Sequence, residues 1–185
     1  MNEEYYWGEI SREKMLEINQ YARQYGYSSA LEKKLKIFLP SYYESLTNGA
    51  RTNFFLLLPL SSQTRLLDIG SGWGRLTFPL SDVCGEVFSL ELVQERIKFQ
   101  EIRKMEEKKE NITLIRSSFL KMPFPPATFD IVIVNGVLEW VGLADKNLSP
   151  EILQKKFLHQ VYQILKPGGQ LYIGIENRFG AQFLL

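Results

Sequence analysis

The stretch LLDIGSGWGRL, residues 66 to 76, sets Gly70, Gly72 and Gly74 at alternate positions directly after an apolar run that carries the acidic Asp68. Glycines at this spacing let the backbone come close to a ligand, and the flanking residues say which kind. A dinucleotide loop needs its third glycine where this chain has Arg75, and a Walker-type phosphate loop needs a following Gly-Lys-Ser/Thr that is missing. Asp68 repels a phosphate and attracts a cation. The loop therefore suits a ligand with a nucleoside, an ammonium group and no phosphate. Glu91 ends the next apolar run, EVFSLEL, where a carboxylate can accept both ribose hydroxyls. Later runs end in Ser117 and Ser118, in Asn135, and in Glu176 with Asn177.

Five short apolar runs, RLLDIG, EVFSLEL, NITLIRSS, FDIVIVNG and QLYIGIEN, alternate with amphipathic stretches. Buried strands separated by helices predict an α/β fold with a parallel sheet covered on both faces. In such a sheet the polar residues at the strand ends share one edge, where ligands bind. The spacing predicts helices over 74–83, 93–109 and 150–165, the last with Ser149 as N-cap and Pro150 in its first turn, stopped by KPGG. Before residue 60 the period is helical. Met15, Ile18, Ala22 and Tyr25 form one stripe behind the N-cap Ser11, and Leu31, Leu35, Phe38 and Leu39 a second that ends at Pro40. The expected organisation is an N-terminal helical segment, 1–60, and a core, 61–185.

Composition narrows the function. The 22 basic and 21 acidic side chains of this 185-residue chain nearly cancel, and no stripe of Lys or Arg forms a nucleic-acid footprint. The longest apolar run, FFLLLPL, is far shorter than the roughly 20 residues of a membrane span. A single cysteine, Cys84, and a start without a signal-peptide pattern point to the cytoplasm. Cys84 reads as a small core residue and His159 as a surface or packing residue. The aromatic start, Tyr5, Tyr6 and Trp7, reads as packing on a neighbouring helix. No metal site is expected.

The glycine loop, the acidic tip SLEL, the segment FDIVIVNGVLEWV and the run ILKPGGQLYIGIEN together resemble a class I S-adenosylmethionine-dependent methyltransferase over about residues 60 to 180. The resemblance implies a Rossmann-like, doubly wound, mainly parallel sheet of order 3-2-1-4-5. It also implies S-adenosylmethionine as cofactor and S-adenosylhomocysteine as product. By the same resemblance Asp68, Gly70, Ser71, Gly72 and Gly74 hold the methionine part, Glu91 the ribose and Leu92 an adenine face, while Asn135 lies beside the methyl. Where the family commonly has an acidic residue for the adenine amino group, this chain has Ser118, with Phe119 beside it to stack. YYWGEI and IENRFG are similar to methyltransferase modules found with glycosyltransferases, which implies a small-molecule or glycan-related acceptor.

Glu139 and Glu176, the carboxylates near the fourth and fifth strand ends, are the candidate general bases for an acceptor that must lose a proton. Two other classes compete: a non-catalytic cofactor-binding or scaffolding protein of the same fold, and an NAD(P)-dependent oxidoreductase, disfavoured by Asp68 and Arg75. Strand counting predicts that the family's closing strands 6 and 7 are missing and that the core is C-terminally incomplete. The fifth strand is then an exposed edge open to self-association.

Overall fold

The structure, a computed structural model, describes residues 10 to 175. Strands β1 (Arg65–Ile69), β2 (Glu86–Glu91), β3 (Ile112–Arg116), β4 (Phe129–Asn135) and β5 (Leu165–Gly174) form one parallel sheet. Its order, β3-β2-β1-β4-β5, is the one expected. Strand order reverses between β1 and β4, which puts the ligand crevice at the carboxyl end of β1. Leu66, Leu67, Ile69 and the run Ile131 to Val134 are buried because helices or connecting segments cover both faces of the central strands.

Alternation assigns the faces. Leu67, Ile69, Val132 and Val134 pack beneath helix α8 (Pro150–Ile164) through Leu153, Phe157, Val161 and Ile164. Leu66, Val87, Ile131 and Ile133 pack on the other face against Leu76, Leu80 and Cys84 and against Phe54 and Phe55 of a 3-10 segment, Gly49–Leu57. Asp68 shares this second face by the period of two, aimed at the turn that follows the glycine loop. Cys84 is a buried core residue and His159 an exposed one, as the sequence suggests.

The N-terminal segment is helical: α1 (Arg12–Tyr25), α2 (Tyr27–Ala30), a π-helical turn (Leu31–Leu35), α3 (Lys36–Phe38) and α4 (Pro40–Thr47). Ser11 caps α1 by accepting from the Lys14 amide, and Pro40 both ends the α3 run and opens α4 at its first position. Met15, Ile18 and Ala22 are buried against Val93, Phe99 and Ile102, with the loop residue Trp73 in the same cluster. Tyr25 departs from the expected stripe. It is 54% exposed and packs on Tyr21, and Asn19 takes the buried place instead, its Nδ2 donating to the Glu95 carbonyl at 2.8 Å.

Three helix limits are corrected. The helix expected over 74–83 is α5 (Thr77–Ser81), because Gly74 lies at φ 81° and residues before Thr77 still belong to the loop. The helix expected over 93–109 is α6 (Gln94–Glu106), ended where Lys108 turns to positive φ. The helix expected to reach residue 165 stops at Ile164, and β5 begins at once, so KPGG lies inside the strand rather than before it. The register shows why. Phe129 pairs with Leu165 and Ile131 with Gln170, so Lys166 to Gly169 bulge opposite Asp130. Lys166 donates to Asp130 Oδ1 at 2.7 Å and the Arg65 amide to Oδ2, and these bonds hold the carboxyl below its usual range. Among the described residues β5 pairs with β4 alone, and no helix is long and apolar enough to cross a membrane.

Candidate functional site

A cavity of about 1010 Å³ opens over the carboxyl ends of all five strands. Asp68, Glu91, Asn135 and Gly174 reach it from β1, β2, β4 and β5, and Ser117 from the turn after β3. Tyr42 and Ser45 of α4, Phe54 of the 3-10 segment, and Glu139 with Trp140 of α7 (Leu138–Val141) complete its far side.

The glycine loop has the backbone its sequence demands. Gly70, Gly72 and Gly74 lie at φ 68°, 58° and 81°. A Cβ at Gly70 would strike Val137, so only glycine lets the loop lie against the turn after β4. A Cβ at Gly72 would meet only the Tyr42 hydroxyl, at 3.3 Å, in the space of the cavity itself. Gly70, Ser71 and Gly72 line the cavity, but Gly74 does not; it faces the Phe78 ring, where a Cβ would come within 2.6 Å. Its role is helix packing rather than ligand contact.

Asp68 is 2% exposed and accepts from the Thr77 hydroxyl at 2.7 Å. Burial pushes its carboxyl up to about 7, against the pull of Thr77 and of the Arg75 charge. A carboxylate poised this way, lining a cavity beside a loop with open space at Gly72, fits the ammonium end of S-adenosylmethionine. Glu91 differs from expectation. Its Oε1 accepts from the amides of Leu92 and Val93 at 2.9 and 2.8 Å, its Oε2 accepts from the Gly72 amide at 2.9 Å, and Arg96 lies 3.9 Å from Oε1. A carboxylate has about four acceptor sites, so three backbone bonds leave room for one ribose hydroxyl rather than two.

Leu92 and Phe119 line the cavity, Phe119 edge-on to Phe157 at 5.8 Å. Ser118 does not line it: its hydroxyl accepts from the Leu120 amide, closing a turn, and Ser117 takes the cavity position. Asn135 sits against Gly174, where no larger residue would fit beside it. Glu139 is exposed at the cavity and Glu176 lies outside the described residues, as do Asn177, Tyr5, Tyr6 and Trp7. The structure adds residues the sequence reading missed: Thr77 on Asp68, Arg75 held by Ser45 at 2.7 Å, Tyr42, and the stacked pair Phe54 and Tyr172, 4.0 Å apart at 11°. Thr77 had a signal, since the first turn after a glycine loop faces the strand end that precedes it.

A family model described as a methyltransferase domain matches residues 67–173, more than half of the chain. The chain belongs to the class I S-adenosylmethionine-dependent methyltransferase family. That family's cofactor is S-adenosylmethionine. A demethylmenaquinone methyltransferase of Lactococcus lactis is 28% identical over 109 residues, covering 57% of this chain and 39% of that relative. The chain thus spans less than half the length of this curated relative. Two solved structures share the fold. One, a methyltransferase from Aquifex aeolicus, has a TM-score of 0.60 at 21% identity over 76% of each chain. The other is a Haemonchus contortus phosphoethanolamine N-methyltransferase in complex with phosphoethanolamine and S-adenosylhomocysteine. It has a TM-score of 0.63 at 18% identity, covering 90% of this chain and 33% of that one.

Proposed function

We propose that this chain carries the cofactor site and an aromatic acceptor wall of a methyltransferase that acts on a small molecule bearing a flat apolar ring. The observation that carries the reading is the buried Asp68 beside a left-handed glycine loop, both lining one cavity with the half-exposed rings of Tyr42, Trp140, Phe54 and Tyr172. Asp68 would meet the ammonium of the cofactor, Glu91 one ribose hydroxyl, and Leu92 with Phe119 the adenine faces. When bound, S-adenosylmethionine supplies a methyl group already activated on a sulfonium sulfur. The residues need only align the two reactants and exclude water, and positioning alone is worth several kcal/mol. Glu139, at the cavity after β4, is the group to take a proton from an acceptor hydroxyl. A ring-bearing acceptor is supported by the aromatic wall and by the name of the Lactococcus relative, a demethylmenaquinone methyltransferase. We read the chain as cytoplasmic, in keeping with a single, buried cysteine.

Titration calorimetry with S-adenosylhomocysteine and with NAD tests the cofactor. Binding of the first and not the second is expected, and the reverse result overturns the assignment. Transfer of labelled methyl from S-adenosylmethionine to a panel of quinols and phenols, set against a panel of glycans, tests the acceptor. Labelling of glycans alone would replace the ring-bearing class.

A further inference from the structure

Gln100 is fully buried on α6, among Ile97, Phe99 and Ile102, and does not itself line the cavity. Its Nε2 donates to the Ser71 hydroxyl at 2.9 Å and to the Gly72 carbonyl at 2.7 Å. Its Oε1 accepts from the Ser89 hydroxyl at 2.7 Å, and the Ser71 and Ser89 hydroxyls are 2.7 Å apart. Both amide hydrogens of Gln100 go to the loop, while the single Ser89 hydrogen has two acceptors within reach, Gln100 Oε1 and the Ser71 hydroxyl. A closed ring of polar groups joins α6, β2 and the glycine loop.

The same loop residue is held at its other end, because the Gly72 amide donates to Glu91. Gly72 is therefore fixed through its N–H by β2 and through its C=O by α6, in a conformation that a free chain leaves readily. An apolar residue would pack beside Phe99 without burying an amide, and burial of an amide is costly unless its bonds are made. The bonds it makes are to the loop.

We propose that Gln100 is the positioning residue of the cofactor loop, acting through Ser71 and Gly72 with Ser89 as its partner. The proposal rests on the methyltransferase reading for the identity of the ligand, while the order of the loop can be measured with no ligand present. Gln100→Met keeps the length of the side chain and removes both polar atoms. Ser89→Ala removes one member and leaves both donations to the loop. Cys84→Ala, in the core cluster of Leu66, Leu80 and Val87 and outside the ring of hydrogen bonds, serves as a variant that loses packing alone.

Hydrogen exchange on the full chain without ligand should show the amides of residues 70–74 exchanging about tenfold faster in Gln100→Met, with β4 amides little changed. Titration with S-adenosylhomocysteine should show a Kd raised about tenfold or more, with Ser89→Ala shifted the same way by less. Cys84→Ala should lower the thermal midpoint and leave loop exchange and Kd at the parent values. The proposal is overturned if Gln100→Met and Ser89→Ala lower the midpoint as Cys84→Ala does, with loop exchange unchanged. If Gln100→Met does not fold, Ser89→Ala decides by the same two readouts. A parent chain that binds no S-adenosylhomocysteine, combined with faster loop exchange in Gln100→Met, removes the methyltransferase reading and leaves the positioning role standing.

Discussion

Around the glycine loop the polar side chains of β1, β2 and α6 are buried and tied down by hydrogen bonds, whereas the aromatic side chains that α4 and α7 bring to the cavity are half exposed and come from elements outside the sheet. Asp68, Glu91 and Gln100 are 2%, 4% and 0% exposed, against 37% for Tyr42 and 42% for Trp140. The first set is preorganised: its groups are immobilised before any ligand arrives, which lowers the cost of binding. The second offers area and stacking faces with few fixed directions. A cofactor common to a family suits the first arrangement, and an acceptor particular to one protein suits the second.

The sharpest break in this contrast is Gly72→Leu. A leucine at φ 58° is strained by about 1–2 kcal/mol and projects into the cavity. S-adenosylhomocysteine binding should fall at least about a hundredfold, while the fold survives because only the Tyr42 hydroxyl opposes the new Cβ. Calorimetry with circular dichroism separates the two effects, and parent-like affinity in a folded variant removes the loop from the site.

Asp68→Asn should come next, weakening binding by about 1.5–3 kcal/mol through loss of a charge-assisted bond. The parent should itself bind more weakly below pH 7, about tenfold per pH unit, because a cationic ligand needs Asp68 without its proton. That slope should vanish in the variant. Stability runs the other way. The folded carboxyl, at about 7, lies above its ordinary 3.8, so the folded chain holds a proton that the unfolded chain releases. Asp68 therefore stabilises most in acid, and this contribution is lost as pH rises through 7. Asp68→Asn should be more stable than the parent at pH 8, and denaturant titrations at pH 5 and 8 measure the difference.

Glu91→Gln should cost about tenfold in affinity and also loosen the loop, since an amide nitrogen then faces one of three backbone N–H groups. Equal loop exchange in variant and parent would limit Glu91 to ligand contact. The smallest effect belongs to the exposed side chains. Trp140→Ala and Glu139→Gln should leave S-adenosylhomocysteine affinity within about twofold and stability within about 0.5 kcal/mol, as exposed positions do. Their effect should fall on methyl transfer alone.

The sheet was legible because parallel strands buried on both faces leave continuous apolar runs, such as Ile131 to Val134, that local pattern detects. That Asp68, Gly70, Gly72, Glu91 and Asn135 meet at one cavity was legible because strand ends and glycine spacing mark the crevice. Ser118 was misplaced by one residue because a turn beyond β3, not the strand period, sets which hydroxyl faces inward. Glycine spacing groups Gly74 with the ligand loop, but its neighbour is Phe78, a contact fixed by helix packing that spacing does not report. The bulge at Lys166 to Gly169 escaped because Pro and Gly signal a stop whether or not pairing resumes around them. Gln100 carried a faint signal, a polar residue on the apolar side of α6, but its partners lie in β2 and the loop and no local pattern names them.

Trp73, between Gly72 and Gly74, is 1% exposed and lies edge-on to Phe99 at 5.0 Å, in the core formed by the N-terminal helices. The glycine loop thus carries its own optical reporter. An indole in so apolar a setting emits at short wavelength and is shielded from quenchers, whereas Trp140 is open to both water and acrylamide. With Trp7 and Trp140 replaced by Phe, the emission that remains belongs to the loop alone, and any event that lifts the loop from α6 becomes a red shift visible in real time.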